Sequence, residues 1–220
     1  MKKKLIEVSI PILSINESSV REKTINFGHP TSIHTYFARR PLACSRAILF
    51  CQLVDDPSAN PERFPSESAQ NKERERLFEI VKELSKWENS NNDELLKLAR
   101  LEIEKSCVNI PTFTDPFSGG FSIPMEAQRL GLENKSSDLN PISILIGKLL
   151  LEIPFIFKNK SPVNSNISQK LHYFNSDGIA EDVGFYGNIL RKRVMNKFGF
   201  LFPKISPKNS DDKLDIISLI

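Results

Sequence analysis

Residues Asp115 to Ala127, Asp115-Pro116-Phe117-Ser118-Gly119-Gly120-Phe121-Ser122-Ile123-Pro124-Met125-Glu126-Ala127, decide how this chain is read, because they join a strand end, a glycine turn and a helix start. Upstream, Val108 to Phe113 are mostly apolar or β-branched, which predicts a buried strand ending at the acid, the proline and the two glycines. From Ser122 the pattern becomes helical, with Ile123, Glu126, Ala127 and Leu130 at helical spacing and Gly131 as a stop. Glycine lets a backbone approach a ligand closely and offer N–H groups from a first helical turn. A ligand is therefore expected over Ser118 to Phe121.

The spacing is not the three-glycine dinucleotide fingerprint, whose partner is a pyrophosphate. Asp115 at the strand end would repel a diphosphate but suits an ammonium, as in the methionine end of S-adenosylmethionine. A second acid, Asp138, closes the segment Leu132 to Ser137, where a second parallel strand would end. In open parallel sheets ligands lie across the carboxyl ends of neighbouring strands, and an acid there can accept ribose hydroxyls. Asn140 then reads as an N-cap and Pro141 as the first residue of the next helix.

The string DPFSGGFSIPMEAQRLG followed by SDLNP resembles the first two cofactor motifs of DNA amino-methyltransferases, and most closely those adenine-specific DNA methylases that contain an integral zinc ribbon. The likeness continues upstream through GHPTSIHTYFARRPLACSRAILFCQLVDDP and RFPSESAQNKERERLFEIVKELSKWENSN, and downstream through LIGKLLLEIPFIFKNKSPVN and GIAEDVGFYGNILR. The resemblance implies an α/β fold, a partial Rossmann-like S-adenosylmethionine-dependent methyltransferase core behind a mainly helical N-terminal region. Its division would be a helical part over 1–107, the first cofactor strands and helices over 108–160, and a linker, helix and truncated tail over 161–220.

The same resemblance implies S-adenosyl-L-methionine as cofactor, DNA as partner and adenine N6 as methyl acceptor. Asp115, Pro116, Phe117, Ser118, Gly119, Gly120 and Phe121 would hold the methionine portion and line the turn, with Asp138, Asn140 and Pro141 on the ribose side. His34, Arg39, Arg40 and Pro41 would contact cofactor or DNA, since many such enzymes have a proline-led helix shortly before the glycine motif. Phe121 departs from the family, which usually has a third glycine there.

The [DNS]-P-P-[YFW] tetrapeptide that polarises the target amine in these enzymes is missing, so no catalytic residue is assigned. Cys44, Cys51 and Cys107 are isolated and make no four-ligand zinc site, so no metal is assigned either. The expectation is thus the cofactor-binding N-terminal part of a larger enzyme, inactive alone. It has two alternatives: one half of a split methyltransferase whose separately encoded partner carries the zinc ribbon and catalytic motif, or a DNA-binding or interaction module without catalysis.

Outside the motif, the alternation of Leu5 to Ile10 predicts a strand, and no apolar stretch reaches signal-peptide or membrane-span length, which with three unpaired cysteines suggests the cytoplasm and no membrane. Helices are predicted from Pro41 to about Val54, over Ser66 to Trp87, from Asn92 to Ser106 and from Asp177 to Phe198. The last has Ile179, Val183, Tyr186, Leu190 and Val194 on one face, and Arg191, Lys192, Arg193 and Lys197 near its end, where cations complement the helix dipole or meet phosphate. Acids and bases alternate through the middle helices, and the net charge of +3 decides nothing. His29 and His34 are expected to order a loop; His172 lies in a polar linker, and no hydrolase triad has persuasive spacing.

Overall fold

The computed structural model describes residues 2–164 and 172–201, and the backbone of Lys204–Ile205 and Leu214–Asp215. The chain forms two compact units, Met1–Glu152 and Ile153–Ile220. Phe202-Pro203 and Ser206 to Lys213, where a zinc ribbon would follow or the tail run on, lie outside the described residues.

The first unit is built around α3 (Leu42–Leu53), a helix apolar on most of its circumference, which is the pattern of a helix meant for a core rather than a surface. Ala47, Phe50 and Cys51 of α3, with Val54 just beyond it, pack against Val81 and Leu84 of α4 (Glu67–Ser85), Ile103 of α5 (Asp93–Ser106) and Leu130. Leu5 and Ile15, from α1 (Leu5–Val8) and α2 (Ile12–Glu22), complete this cluster. Ser66 caps α4 by accepting from the Ala69 N–H, and Asn92 caps α5 by accepting from the Leu95 N–H. Leu77, Ile80, Val81 and Leu84 of α4 and Leu96, Ala99 and Ile103 of α5 are buried, each set on one face of its helix.

After α5 come β1 (Phe113–Asp115), α6 (Ser122–Arg129), β2 (Asn134–Ser136) and α7 (Pro141–Gly147). β1 and β2 are parallel, with Phe113 opposite Asn134 and Asp115 opposite Ser136. A five-residue π-helical turn, Lys148–Glu152, ends the unit.

The expected α/β, partial Rossmann-like methyltransferase fold is corrected here. The described residues are mostly helical, and their parallel sheet has two strands of three residues each. Pro111 interrupts the segment that reads as a strand, leaving Val108 and Ile110 exposed and pairing only from Phe113 onward. The strand expected over Leu5 to Ile10 is also corrected, because Leu5–Val8 is one helical turn. The Lys4 N–H donates to the Glu7 carboxylate at 3.4 Å and the Leu5 N–H to the Val54 carbonyl at 2.9 Å, so local capping and docking against the end of α3 override the alternation.

In the second unit, α8 (Ile153–Ile156) and α9 (Asp177–Phe198) enclose a groove, and Lys204–Ile205 (β3) pairs antiparallel with Leu214–Asp215 (β4). The carboxylate of Asp182 accepts from the N–H groups of Val163 and Asn164, tying the preceding segment to α9. Among the described residues no helix is long and apolar enough to cross a membrane.

Candidate functional site

The glycine turn is tied internally. The Asp115 carboxylate accepts from the Phe117 N–H at 3.0 Å, and the Asp115 carbonyl accepts from Ser118 Oγ at 2.9 Å and from the Ser137 N–H at 2.9 Å. The Ser118 N–H returns to the Ser137 carbonyl at 3.0 Å, so the parallel ladder carries directly into the turn. Gly119 has φ +52°, a value that suits glycine. A Cβ on Gly120 would lie 3.3 Å from Tyr36 Cβ, so close approach of the segment before α3 is what Gly120 permits.

Asp138 closes the turn from the second strand. One carboxylate oxygen accepts from the Gly119 N–H at 2.7 Å, the other from the Asn140 N–H at 2.8 Å. These bonds, the Asn140 one first and the Gly119 one next, hold the Asp138 carboxyl below its ordinary pKa. Asn140 caps α7 through its side chain, accepting from the Ile142 N–H at 3.0 Å, with Pro141 at the first helical position as predicted. Its amide nitrogen donates to the Tyr36 hydroxyl at 3.2 Å, and Ser143 Oγ donates to the Gly119 carbonyl.

A cavity of about 370 Å3 lies between this turn and residues 36–40, and Asp115, Phe117, Ser118, Gly119, Gly120, Arg39 and Arg40 all line it. Tyr36 and Phe37 stack at its wall, ring centroids 4.7 Å apart, and the exposed Phe117 stands on the turn side. A carboxylate, two guanidinium groups, hydroxyls and exposed aromatic rings thus share one opening. A narrow cleft of about 20 Å3 has Tyr36, Arg39, Gly120 and Ser122 in common with it and adds His34. Pro116, Asn140 and Pro141 do not line the cavity; Asp138 reaches it only through its bond to Gly119. Phe121, with φ +57°, turns away from it: the side chain is buried, and a Cβ on Gly147 of α7 would fall on its ring. The ring is a core element at the start of α6.

Two contacts that the sequence did not announce position this site. Glu22, buried at the end of α2, accepts from the N–H groups of Leu42 and Ala43, both at 2.9 Å, and from His29 Nε2 at 3.1 Å. Pro41 is the N-cap of α3 rather than its first helical residue. The first N–H groups of α3 are therefore held by the chain's own carboxylate, at the helix start where a contact to cofactor or DNA was expected. His29 stacks on Trp87 and has Arg39 Nη1 at 3.3 Å from its Nδ1, so it orders the segment carrying Arg39.

The second contact is a buried ion pair. Arg46, in the middle of α3, donates from Nε to Glu126 of α6 at 2.5 Å, from Nη1 to the Leu84 carbonyl at 2.8 Å and from Nη2 to Ser90 Oγ at 3.0 Å. Glu126 also takes Arg129 at 2.5 Å. Arg46 and Glu126 are almost fully buried and fully satisfied, which is the condition for such a pair to be tolerated. An arginine inside an apolar helix and a glutamate inside the buried stretch of α6 are the only sequence signals of it.

A family model described as "Protein of unknown function (DUF1156)" matches residues 9–80. That span contains Glu22, His29, the segment 36–40 and α3, and stops short of Asp115 and Asp138. None of the curated proteins and none of the solved structures matches the chain. Among the described residues no cluster of His, Cys, Asp and Glu is arranged to hold a metal ion.

Proposed function

We propose that this chain binds S-adenosyl-L-methionine in the cavity between residues 36–40 and the glycine turn, as the cofactor-binding part of a DNA adenine amino-methyltransferase. The observation that supports it is that two parallel strands bring Asp115 and Asp138 to the same end, with the glycine turn between them and a cavity of about 370 Å3 in front of it. The chemistry of the lining fits a zwitterion carrying a nucleoside. Asp115 suits an ammonium, Arg39 or Arg40 a carboxylate, and Tyr36, Phe37 and Phe117 an aromatic ring. Asp138, behind the turn, would act on the ligand indirectly, by holding the Gly119 N–H that fixes the cavity wall.

The cofactor would supply an electrophilic methyl group; the residues named would orient it. Transfer to an exocyclic amine also requires the tetrapeptide that this sequence lacks, so the reading assigns binding without turnover to this chain alone. A separately encoded half could supply it, with DNA as the common partner. The three free cysteines suit the cytoplasm as its compartment.

Calorimetry with S-adenosylhomocysteine tests the proposal. Binding is expected, weakened at least about tenfold by Asp115→Asn, which keeps the bond to Phe117 but removes the charge. No binding at ~1 mM ligand, or binding indifferent to that change, overturns it. A second reading has its own support: the start of α3 and the Gly119 N–H are satisfied by Glu22 and Asp138 without any ligand, as in an interaction module that has no cofactor. Absence of calorimetric binding together with retention of duplex DNA on the chain would select that reading.

A further inference from the structure

α9 spans 22 residues and buries only Gly178. Along one side Val183, Tyr186, Leu190, Val194 and Phe198 recur at spacings of three and four, and they are 67, 52, 64, 39 and 42 % exposed. This is the seam of a helix meant to lie against another helix, yet the described residues leave much of it open, flanking it only at Val183 and Tyr186 through Ile153, Phe157 and Val163.

The charges on α9 say what fits. Asp177, Glu181 and Asp182 lie in its first turns, and Arg191, Lys192, Arg193 and Lys197 in its last. The helix dipole accounts for that polarity but not for an apolar seam running between the two charged ends. A second copy laid antiparallel brings the acidic half of each helix against the basic half of the other, while the seam meets itself. A parallel copy would set acid against acid and base against base. Antiparallel pairing also gives the closed two-fold contact in which the same patch serves both protomers.

The groove of about 310 Å3 formed by Ile153, Phe157 and Val163 with Ile179, Val183 and Tyr186 widens the acidic half of the seam. It gives the partner's Leu190–Val194 half an apolar receiving surface. We propose that α9 is a self-association helix that pairs antiparallel with a second copy of this chain. The proposal is independent of the cavity at residues 36–40.

Sedimentation velocity on the full chain tests it. A dimer is expected in low salt, its dissociation constant rising with ionic strength because exposed charges contribute. Leu190→Glu should give a monomer with unchanged circular dichroism; Leu190→Ser, milder, should act in the same direction. Arg191→Glu/Lys192→Glu/Arg193→Glu and Asp177→Lys/Glu181→Lys should each lose the homodimer, and mixing the two variants should give a heterodimer at least about tenfold tighter than either alone. A wild-type monomer up to ~1 mM, or a dimer indifferent to Leu190→Glu, overturns the proposal. So does a monomer that binds duplex DNA through the basic cluster with steep salt dependence, which would assign those cations to phosphate.

Discussion

α3 and α9 read alike in the sequence, each a run with apolar residues at helical spacing, but the structure treats them as opposites. α3 has seven buried residues out of 12 and places even Arg46 in the interior, while α9 has one out of 22. The difference is that α3 meets neighbours on all but the face of Ile48 and Gln52, whereas α9 meets them along part of one side. Periodicity says that a helix has an apolar face; it does not say whether the same chain covers it. Removing a side chain should therefore cost stability in the one helix and association in the other.

The largest expected effect is at Arg46. Arg46→Ala leaves Glu126 buried with only Arg129 as counter-charge, and strips the Leu84 carbonyl and Ser90 of their donor. Breaking a buried pair by removing one partner costs about 3–5 kcal/mol, enough to unfold a marginal unit. Leu190→Ala on α9, by contrast, should change the unfolding free energy of the dilute protomer by no more than about 0.5 kcal/mol. Urea denaturation of both variants checks the pair of values. Equal losses would mean that α9 is packed in solution much as α3 is.

A smaller and sharper contrast lies in two glycines. A Cβ on Gly147 would collide with the Phe121 ring, whereas a Cβ on Gly184 of α9 meets nothing within 4 Å. Gly147→Ala should cost about 1–3 kcal/mol by overpacking, and Phe121→Leu in that background should recover part of it. Gly184→Ala should instead stabilise α9 by up to about 1 kcal/mol, because alanine replaces the least helical residue other than proline in an open position. Amide exchange along α9 and denaturation of the first unit read the two outcomes separately.

Much of the site was legible because its signals are local. The Ser122 start of α6, the Asn140-Pro141 start of α7 and the bounds of α9 follow from caps, turns and periodicity, each decided within a few residues. Asp115, Ser118, Gly119 and Gly120 do meet Arg39 and Arg40 at one cavity. What was not legible depends on partners far apart in the chain. Arg46 and Glu126 are separated by 80 positions, and Glu22 reaches Leu42 and Ala43 from another helix. No periodicity records such pairs. The fold class misled for a related reason: the glycine turn is a local motif, but a sheet is a count of strands, and the described residues supply a parallel pair of short ones where the turn suggested the edge of a larger sheet. Leu5 to Val8 erred the other way, its alternation overridden by Glu7 and by docking on Val54.

The smallest expected effect concerns the two carboxylates that satisfy backbone N–H groups, buried Glu22 and the more open Asp138. Asp138 accepts from Asn140 and Gly119 more strongly when ionised, so its folded pKa lies below the unfolded value of about 3.9. A depressed carboxyl contributes stability that is fully present above the unfolded pKa and disappears as pH falls through the folded one. The glycine turn should therefore be unchanged from neutral pH down to about pH 4 and loosen below it. In a proton-detected titration the Gly119 and Asn140 amides should shift together with a single midpoint below that of a model aspartate. Asp138→Asn should abolish the transition and leave the Leu42 and Ala43 amides, which answer to Glu22, where they were. A midpoint at or above the model value would mean that the bonds to Asp138 are not formed in solution, and the cavity would then have no fixed wall on the side of β2.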